Sequence, residues 1–530
     1  MIPARTATAD QPPRPIPSHP DLLWLVCAGA LIVALAIPFF LIDVPPVQDY
    51  PNHLARYFVL AHPDDPTLAQ IYAPAWRILP NLGMDVLGMA LLKVLPVHVG
   101  GRILLAVSLF APVIGVIVFS RVMFGRFLYW PLASGVMAYN GIFHLGFMNF
   151  LLSLGMALIG AAVWLAMRRR DSALGAALVG AVAAAVIFFC HIFGVILFGV
   201  LLGGLELARL VALRQDGKPI AVPAITTAVL GLAVLAPVIV LYLASPLADG
   251  GQAFGEWGGR YKLAAFLTPF ATYSKAITVI TAVALLVFLV LNRTRLRMAP
   301  GIGIALLALL LIYAVVPIAI GRGSFIDSRL GVMMGLLLFA GFAPDLPRRS
   351  ALIFASLFAA LIAGRTVYIA SVWIDHRHDL ADLSKAISYV PEGARVMSAR
   401  GYLGYQTDNV SHAGRALPGF YRLDGHLAAL MVIERRAFWP LLFADATQQP
   451  LVVRPPYAAI SHPLQEAVHW PVLQQQQFTA ENLEDARYLP GWRDKFDYVL
   501  LIDPPAALTV PQGLQPIVTT GFAILYRIER

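Results

Sequence analysis

The stretch Val47-Gln48-Asp49-Tyr50-Pro51-Asn52-His53-Leu54-Ala55-Arg56 sets a carboxylate, a phenol, an imidazole and a guanidinium close together. A helix starting near Pro51 places Asp49 and His53, four residues apart, on either side of its first turn. A carboxylate there is a candidate general base for an acceptor hydroxyl, with His53 as its catalytic companion. The plainer alternative is an aspartate that caps the helix, with Arg56 reaching to lipid headgroups.

Two further clusters mix cations with acids and aromatics. Glu256, Trp257, Arg260, Tyr261 and Lys262 form one, and Arg322, Asp327 and Arg329 the other. Each arginine has a competing role as a headgroup contact or in an ion pair such as Asp327–Arg329. Arg365 lies inside an apolar run, where a charge is a functional candidate by default unless it snorkels outward. His144 and His191 stand among apolar residues. There the ordinary role is a hydrogen bond to a neighbouring helix, and the functional one is contact with a substrate hydroxyl or a leaving group. The run Asp375-His376-Arg377-His378 lacks the spacing of a zinc site, and there is no Walker A loop, Rossmann fingerprint or serine elbow.

The elements that must position these residues are membrane helices. Of the 530 residues 59% are hydrophobic and 13% charged, and the mean hydropathy is +0.73. About 25% charge is usual for soluble domains, so a water-soluble globule of this size is excluded. The net charge of +9 sits mainly in short loops between apolar runs, as the positive-inside rule requires, and no nucleic-acid partner is expected. Cys27 and Cys190 both fall in apolar runs and make no disulfide framework.

Twelve apolar runs lie between residues 22 and 373, and the first, Leu22 to Ile42, reads as an uncleaved helix. Arg168-Arg169-Arg170, then Arg209, Arg214 and Lys218, then Arg293, Arg295 and Arg297, then Arg348 and Arg349 all fit the cytoplasmic side, with the N-terminus. Five runs precede Arg168, and parity allows only an even number of crossings. One of 82–97 and 127–143 is therefore expected not to cross. The expected layout is a cytoplasmic tail (1–21) and a membrane domain (22–373) of about eleven spans with outer loops 43–81, 245–272 and 321–329. A small extracytoplasmic α/β domain (374–530) follows, and the protein sits in the inner (cytoplasmic) membrane, N-terminus inside. In the tail, Asp379–Val390 reads as a helix, and Arg395–Ser398, Phe496–Ile502 and Phe522–Ile528 as strands.

This arrangement resembles the GT-C class of membrane glycosyltransferases, such as protein O-mannosyltransferases and aminoarabinose transferases. The resemblance covers about residues 20–170 and the general layout. It rests on Asp49 in the first outer loop, short helices at Pro51–Ala61 and Pro66–Tyr72, and a run ending Leu91-Leu92-Lys93-Val94-Leu95-Pro96. The segment that follows opens with Gly101-Arg102-Ile103-Leu104 and closes with Arg121-Val122-Met123-Phe124-Gly125-Arg126. Many relatives carry an Asp-Glu pair where this chain has Asp49-Tyr50.

The resemblance implies transfer of a sugar from a polyprenyl-phosphate donor to a glycan, lipid or protein acceptor on the outer face, within membrane lipid. Asp49 would then be the catalytic acid/base, with His53 beside it. The departing phosphate needs a cationic site, for which Arg260, Lys262, Arg322 and Arg329 are the candidates. Tyr50, His144, His191, Glu256, Trp257 and Asp327 are the candidate substrate contacts. One carboxylate is a poor divalent-ion site, so no metal or other cofactor is expected, with a divalent metal left open. A transporter or flippase for a lipid-linked precursor, or a non-catalytic assembly protein, are the alternatives.

Overall fold

A computed structural model describes residues 19–249, 255–320, 323–408, 410–463, 465–475 and 477–530, except the side chains of Asp249, Arg260, Tyr261 and Asp485. In chain order its main helices begin with α1 (Leu22–Ala36), α2 (Tyr50–Ala61), α3 (Gly83–Leu92) and α4 (Val97–Phe124). Then follow α5 (Met148–Arg169), α6 (Ala173–Cys190), α7 (Ile192–Gln215) and α8 (Ala221–Leu243). The last four are α9 (Lys275–Leu291), α10 (Ile302–Val315), α11 (Ile326–Ala340) and α12 (Arg348–Ser388).

Among the described residues, α1 with the 3-10 turn that extends it to Phe40, α4 to α8 and α12 are the seven helices long and apolar enough to cross a membrane. Lys262–Phe270 and α9 add a pair bent by 88°. The protein is a multi-pass helical membrane protein. Both runs singled out by charge parity fold short of the roughly 20 residues a crossing needs. Run 82–97 holds the ten-residue α3, and run 127–143 is a 3-10 stretch, Trp130–Met137, followed by the single turn Gly141–His144.

Small residues let the central helices touch through their backbones. A β-carbon on Gly155 of α5 would lie 2.4 Å from the Ala111 carbonyl of α4. Close backbone approach of this kind is how helices associate where lipid removes the hydrophobic drive.

The C-terminal domain is built on a five-stranded mixed sheet. Val468–His469 and Tyr498–Ile502 flank Val396–Arg400 in parallel, and Ala523–Ile528 and Leu514–Thr519 continue it antiparallel. Three of these strands fall where alternation and apolar runs placed them. The helix expected at Asp379–Val390 is instead the end of α12, which runs unbroken for 41 residues through position 374.

The first loop and the C-terminal domain are stitched into one layer. Tyr72–Pro74 pairs antiparallel with Leu451–Val453. Asn52, fully buried in α2, donates to the Leu441 carbonyl (3.0 Å) and accepts from the Phe443 N–H (2.8 Å).

Arg365, in the middle of α12, does not snorkel. It is buried and donates to the carbonyls of Phe270 (2.9 Å) and Tyr139 (3.0 Å) and to the Thr281 hydroxyl (3.2 Å). Phe270 ends the first limb of the bent pair, where the helix hydrogen bonds stop. At membrane depth such freed carbonyls need an internal donor. Arg365→Met is expected to cost about 3 kcal/mol or more, because it strands three buried acceptors. Thermal unfolding in detergent reads this out, and an unchanged midpoint would mean the carbonyls have other donors.

Candidate functional site

The loop after α1 is pinned from below by the turn Gly141–Leu145. The Gln48 and Asp49 N–H groups donate to the carbonyls of His144 (2.9 Å) and Leu145 (3.2 Å). Gly146, at φ +85°, lies under them, and a β-carbon there would sit 2.9 Å from the Asp49 nitrogen. Pro51 fixes the start of α2 and leaves Asp49 at the N-cap.

The Asp49 side chain caps nothing, which removes the helix-cap alternative. Its carboxylate instead faces His426 of the C-terminal domain, with Oδ1 3.0 Å from Nδ1. That imidazole is held edge-on by Phe443 (5.0 Å) and Trp439 (6.2 Å). Arg56 does not reach headgroups either. It is fully buried and forms a two-pronged pair with Asp85 of α3 (2.6 and 3.1 Å).

Arg329, in the first turn of α11, is wrapped by the rings of Phe147 (4.6 Å), Phe193 (5.3 Å) and Phe150 (5.8 Å). It makes no ion pair among the described residues, so the Asp327–Arg329 pair does not form. Its Nη1 stops 3.4 Å from Nε2 of His191, and its Nε is buried without a partner.

His191 caps the start of α7, with Nδ1 accepting the Phe193 N–H (3.1 Å). A neutral imidazole whose Nδ1 accepts carries its proton on Nε2. Two donors therefore face each other, and an acceptor placed between or beside them satisfies both. A phosphate oxygen is such an acceptor, and a bare guanidinium is its usual partner. The Asp49 carboxylate is close enough for its charge to act on Arg329. The site thus joins a carboxylate set against His426, a guanidinium with no ion pair among the described residues and the His191 imidazole.

The other sequence candidates divide into neighbours of this site and members of a second cluster. His53 lies one turn beyond Asp49, walled by Phe443 and Tyr57. Burial, reinforced by the charges of Arg56 and His426, pushes its imidazole well below the usual histidine range, so it stands neutral. Tyr50 is buried against Gly101 of α4, where a β-carbon would lie within 2.4 Å of its oxygen. His144 is wholly buried beside Tyr273 (4.5 Å), and burial, with Arg365 adding, pushes it down to about 3. It touches the site through its carbonyl, which holds Gln48.

Lys262 caps the end of α10, donating to the carbonyls of Ala314 (3.3 Å) and Val316, over the rings of Trp257 and Tyr313. Asp327 accepts the Ser328 N–H (2.8 Å) and feels the charge of Lys262. The side chains of Glu256 and Trp257 are exposed, and the backbone of Gly255–Glu256 forms a two-residue ladder with Ala319–Ile320. These four belong to the second cluster, and no described contact links them to Asp49. Arg322 and the side chain of Arg260 lie outside the described residues.

Sequence reasoning missed His426 and the phenylalanine box. Nothing local marks His426, which reaches Asp49 only through the docking of the C-terminal domain. Among the described residues no three His, Cys, Asp or Glu side chains cluster as metal ligands.

No family model and no curated protein matches the chain. Solved structures do. ArnT from Cupriavidus metallidurans, bound to undecaprenyl phosphate, aligns at TM-score 0.50 and 11% identity over 95% of this chain and 97% of that one. Its apo form aligns over the same shares at 0.48 and 10% identity. The chain shares its fold with ArnT, as the resemblance read from the sequence led one to expect. Within this fold, Asp49 sits on the loop after the first span, the position from which the sequence resemblance was drawn.

The Gly146 contact gives a direct test of how Asp49 is held. Gly146→Ala demands positive φ from a residue with a side chain and pushes against the Asp49 backbone. It is expected to destabilise by more than about 1 kcal/mol. Hydrogen exchange should show faster exchange confined to the Gln48 and Asp49 amides, and protection equal to wild type would refute the contact.

Proposed function

We propose that the protein is an integral membrane glycosyltransferase that moves a sugar from a polyprenyl-phosphate donor to a hydroxyl acceptor. The observation that carries this reading is the buried, partnerless Nε of Arg329, held in a box of phenylalanine rings with His191 3.4 Å from its Nη1. The solved neighbour's undecaprenyl phosphate gives the class of lipid carrier. On the charge distribution of the loops, the site opens on the extracytoplasmic side of the inner membrane, with the C-terminal domain over it.

The acceptor oxygen attacks the anomeric carbon as the bond from that carbon to the phosphate oxygen breaks. The bonding electrons leave with polyprenyl phosphate. Arg329 and the Nε2–H of His191 bind the oxygen on which that charge accumulates, which lowers the barrier because the charge grows toward the transition state. Asp49 takes the acceptor proton, and His426 fixes which carboxylate oxygen points to the acceptor. The phenylalanine box keeps water from Arg329, so its interaction with phosphate is stronger than at a wet surface.

Asp49→Asn is expected to lower turnover by about a hundredfold or more in proteoliposomes supplied with a polyprenyl-phosphate sugar, with expression and unfolding unchanged. Full activity in that variant would sink the assignment. Arg329→Lys keeps the charge but loses the planar fork and the ring stacking. It should weaken polyprenyl-phosphate binding by about tenfold. Binding as tight as wild type would place the phosphate elsewhere.

A further inference from the structure

At the far end of the same helices lies a second basic site. Helix α5 runs from the turn beside Asp49 to Arg168 and Arg169, and α7 runs from His191 past Glu206 and Arg209. At 1.5 Å per residue these ends stand about 30 Å from the Arg329 site. Between them opens a cavity of about 450 Å³, lined by Arg168, Arg169, Glu206 and Arg209, with Leu165 and Met123 among its apolar walls.

The polar groups in this cavity are unequally satisfied. Glu206 is saturated. It receives Arg168 through two bonds (2.7 and 3.0 Å), Trp164 (3.2 Å) and Thr227 (3.1 Å). Arg169 donates to the last carbonyls of α4, Val122 and Met123. Arg209 stands 3.6 Å from Glu206, too far for a hydrogen bond, and is partly exposed. Three guanidinium groups thus line a cavity with one carboxylate that has no lone pair to spare, an excess of positive charge. The walls are hydrocarbon and the rim is cationic, the two halves that a phospholipid presents in the opposite order.

We propose that this cavity binds the phosphate headgroup of an anionic glycerophospholipid, with Arg209 and Arg169 as its ligands and the first acyl carbons against Leu165 and Met123. Arg168 and Glu206 form the floor that fixes the two helix ends. The occupant is a structural lipid at the membrane face opposite the C-terminal domain, and its binding does not depend on the sugar-transfer reading.

Native mass spectrometry of the full chain in detergent tests this, using equimolar phosphatidylglycerol and phosphatidylcholine with matched acyl chains. The wild type should retain phosphatidylglycerol over phosphatidylcholine by about tenfold. Arg209→Gln removes the guanidinium that is only ion-paired to Glu206, and Ala212→Phe fills the cavity while leaving every charge in place. Both should reduce the preference to near unity, with thermal unfolding as in wild type for at least one of them. Equal retention of the two lipids by the wild type, or an undiminished preference in Ala212→Phe, would overturn the site. Displacement of phosphatidylglycerol by millimolar inorganic phosphate would assign the cavity to a free anion and overturn the lipid.

Discussion

A guanidinium held at membrane depth organises the structure. The bent pair that ends in α9 breaks its own hydrogen-bond ladder at Phe270, and a break inside a lipid-embedded bundle stands only if something else satisfies the backbone. Arg365 does so, and it also takes the Tyr139 carbonyl just ahead of the turn beneath Asp49. Tyr273, three residues past the break, donates to the Pro46 carbonyl (3.0 Å), receives the Trp373 indole N–H (3.0 Å) and packs on His144. A chain of ordinary hydrogen bonds thus leads from the kink to the loop that carries the carboxylate. Without Arg365 the kink would be costly, and without the kink Tyr273 would have no reason to lie there.

Above the membrane the same loop is held by the C-terminal domain. The Asn52 bonds, the Tyr72–Pro74 ladder and the Asp65–Arg436 pair (3.2 Å) all join residues of the first loop to residues beyond 430. Within the domain, Arg415 reaches Asp379 of α12 through two bonds (2.6 and 2.9 Å) and Asp503 through a third, and Arg422 bridges Asp424 and Asp503. These charges are buried. Their pairing adds little net stability over an apolar core, but removing one partner is expensive, so the network fixes one docking geometry. That geometry delivers His426 to Asp49.

Much of this was legible in the chain, and the limits have physical causes. The membrane class follows from composition, because hydrocarbon tolerates few charges. The GT-C fold followed from Asp49 and the short helices after it. Three of the five strands of the C-terminal sheet followed from alternation and apolar runs. Asp49, His191 and Arg329 were each singled out as types, and the structure brings them together. Lys262 shows where type alone misleads, since a lysine near a helix end serves the carbonyls there as readily as a ligand. Arg56 misled in the same way: its partner Asp85 sits in an apolar run where hydropathy hides a single carboxylate. His426 was invisible because a contact between two distant segments leaves no local pattern.

The unbroken α12 makes the upper domain and the bilayer parts of one lever. Forty-one residues of helix span about 60 Å, twice the hydrocarbon thickness, with its lower half among lipid and its upper half locked into the sheet domain by the Asp379–Arg415 pair. A change of tilt by about 5° at the lower end swings the upper end by about 5 Å over that length. Helices adjust their tilt to the thickness of the membrane around them. Because the first loop is tied to that same domain through Asn52 and the Tyr72–Pro74 ladder, such a swing carries Asp49 and His426 together and shifts the whole upper layer over the bundle.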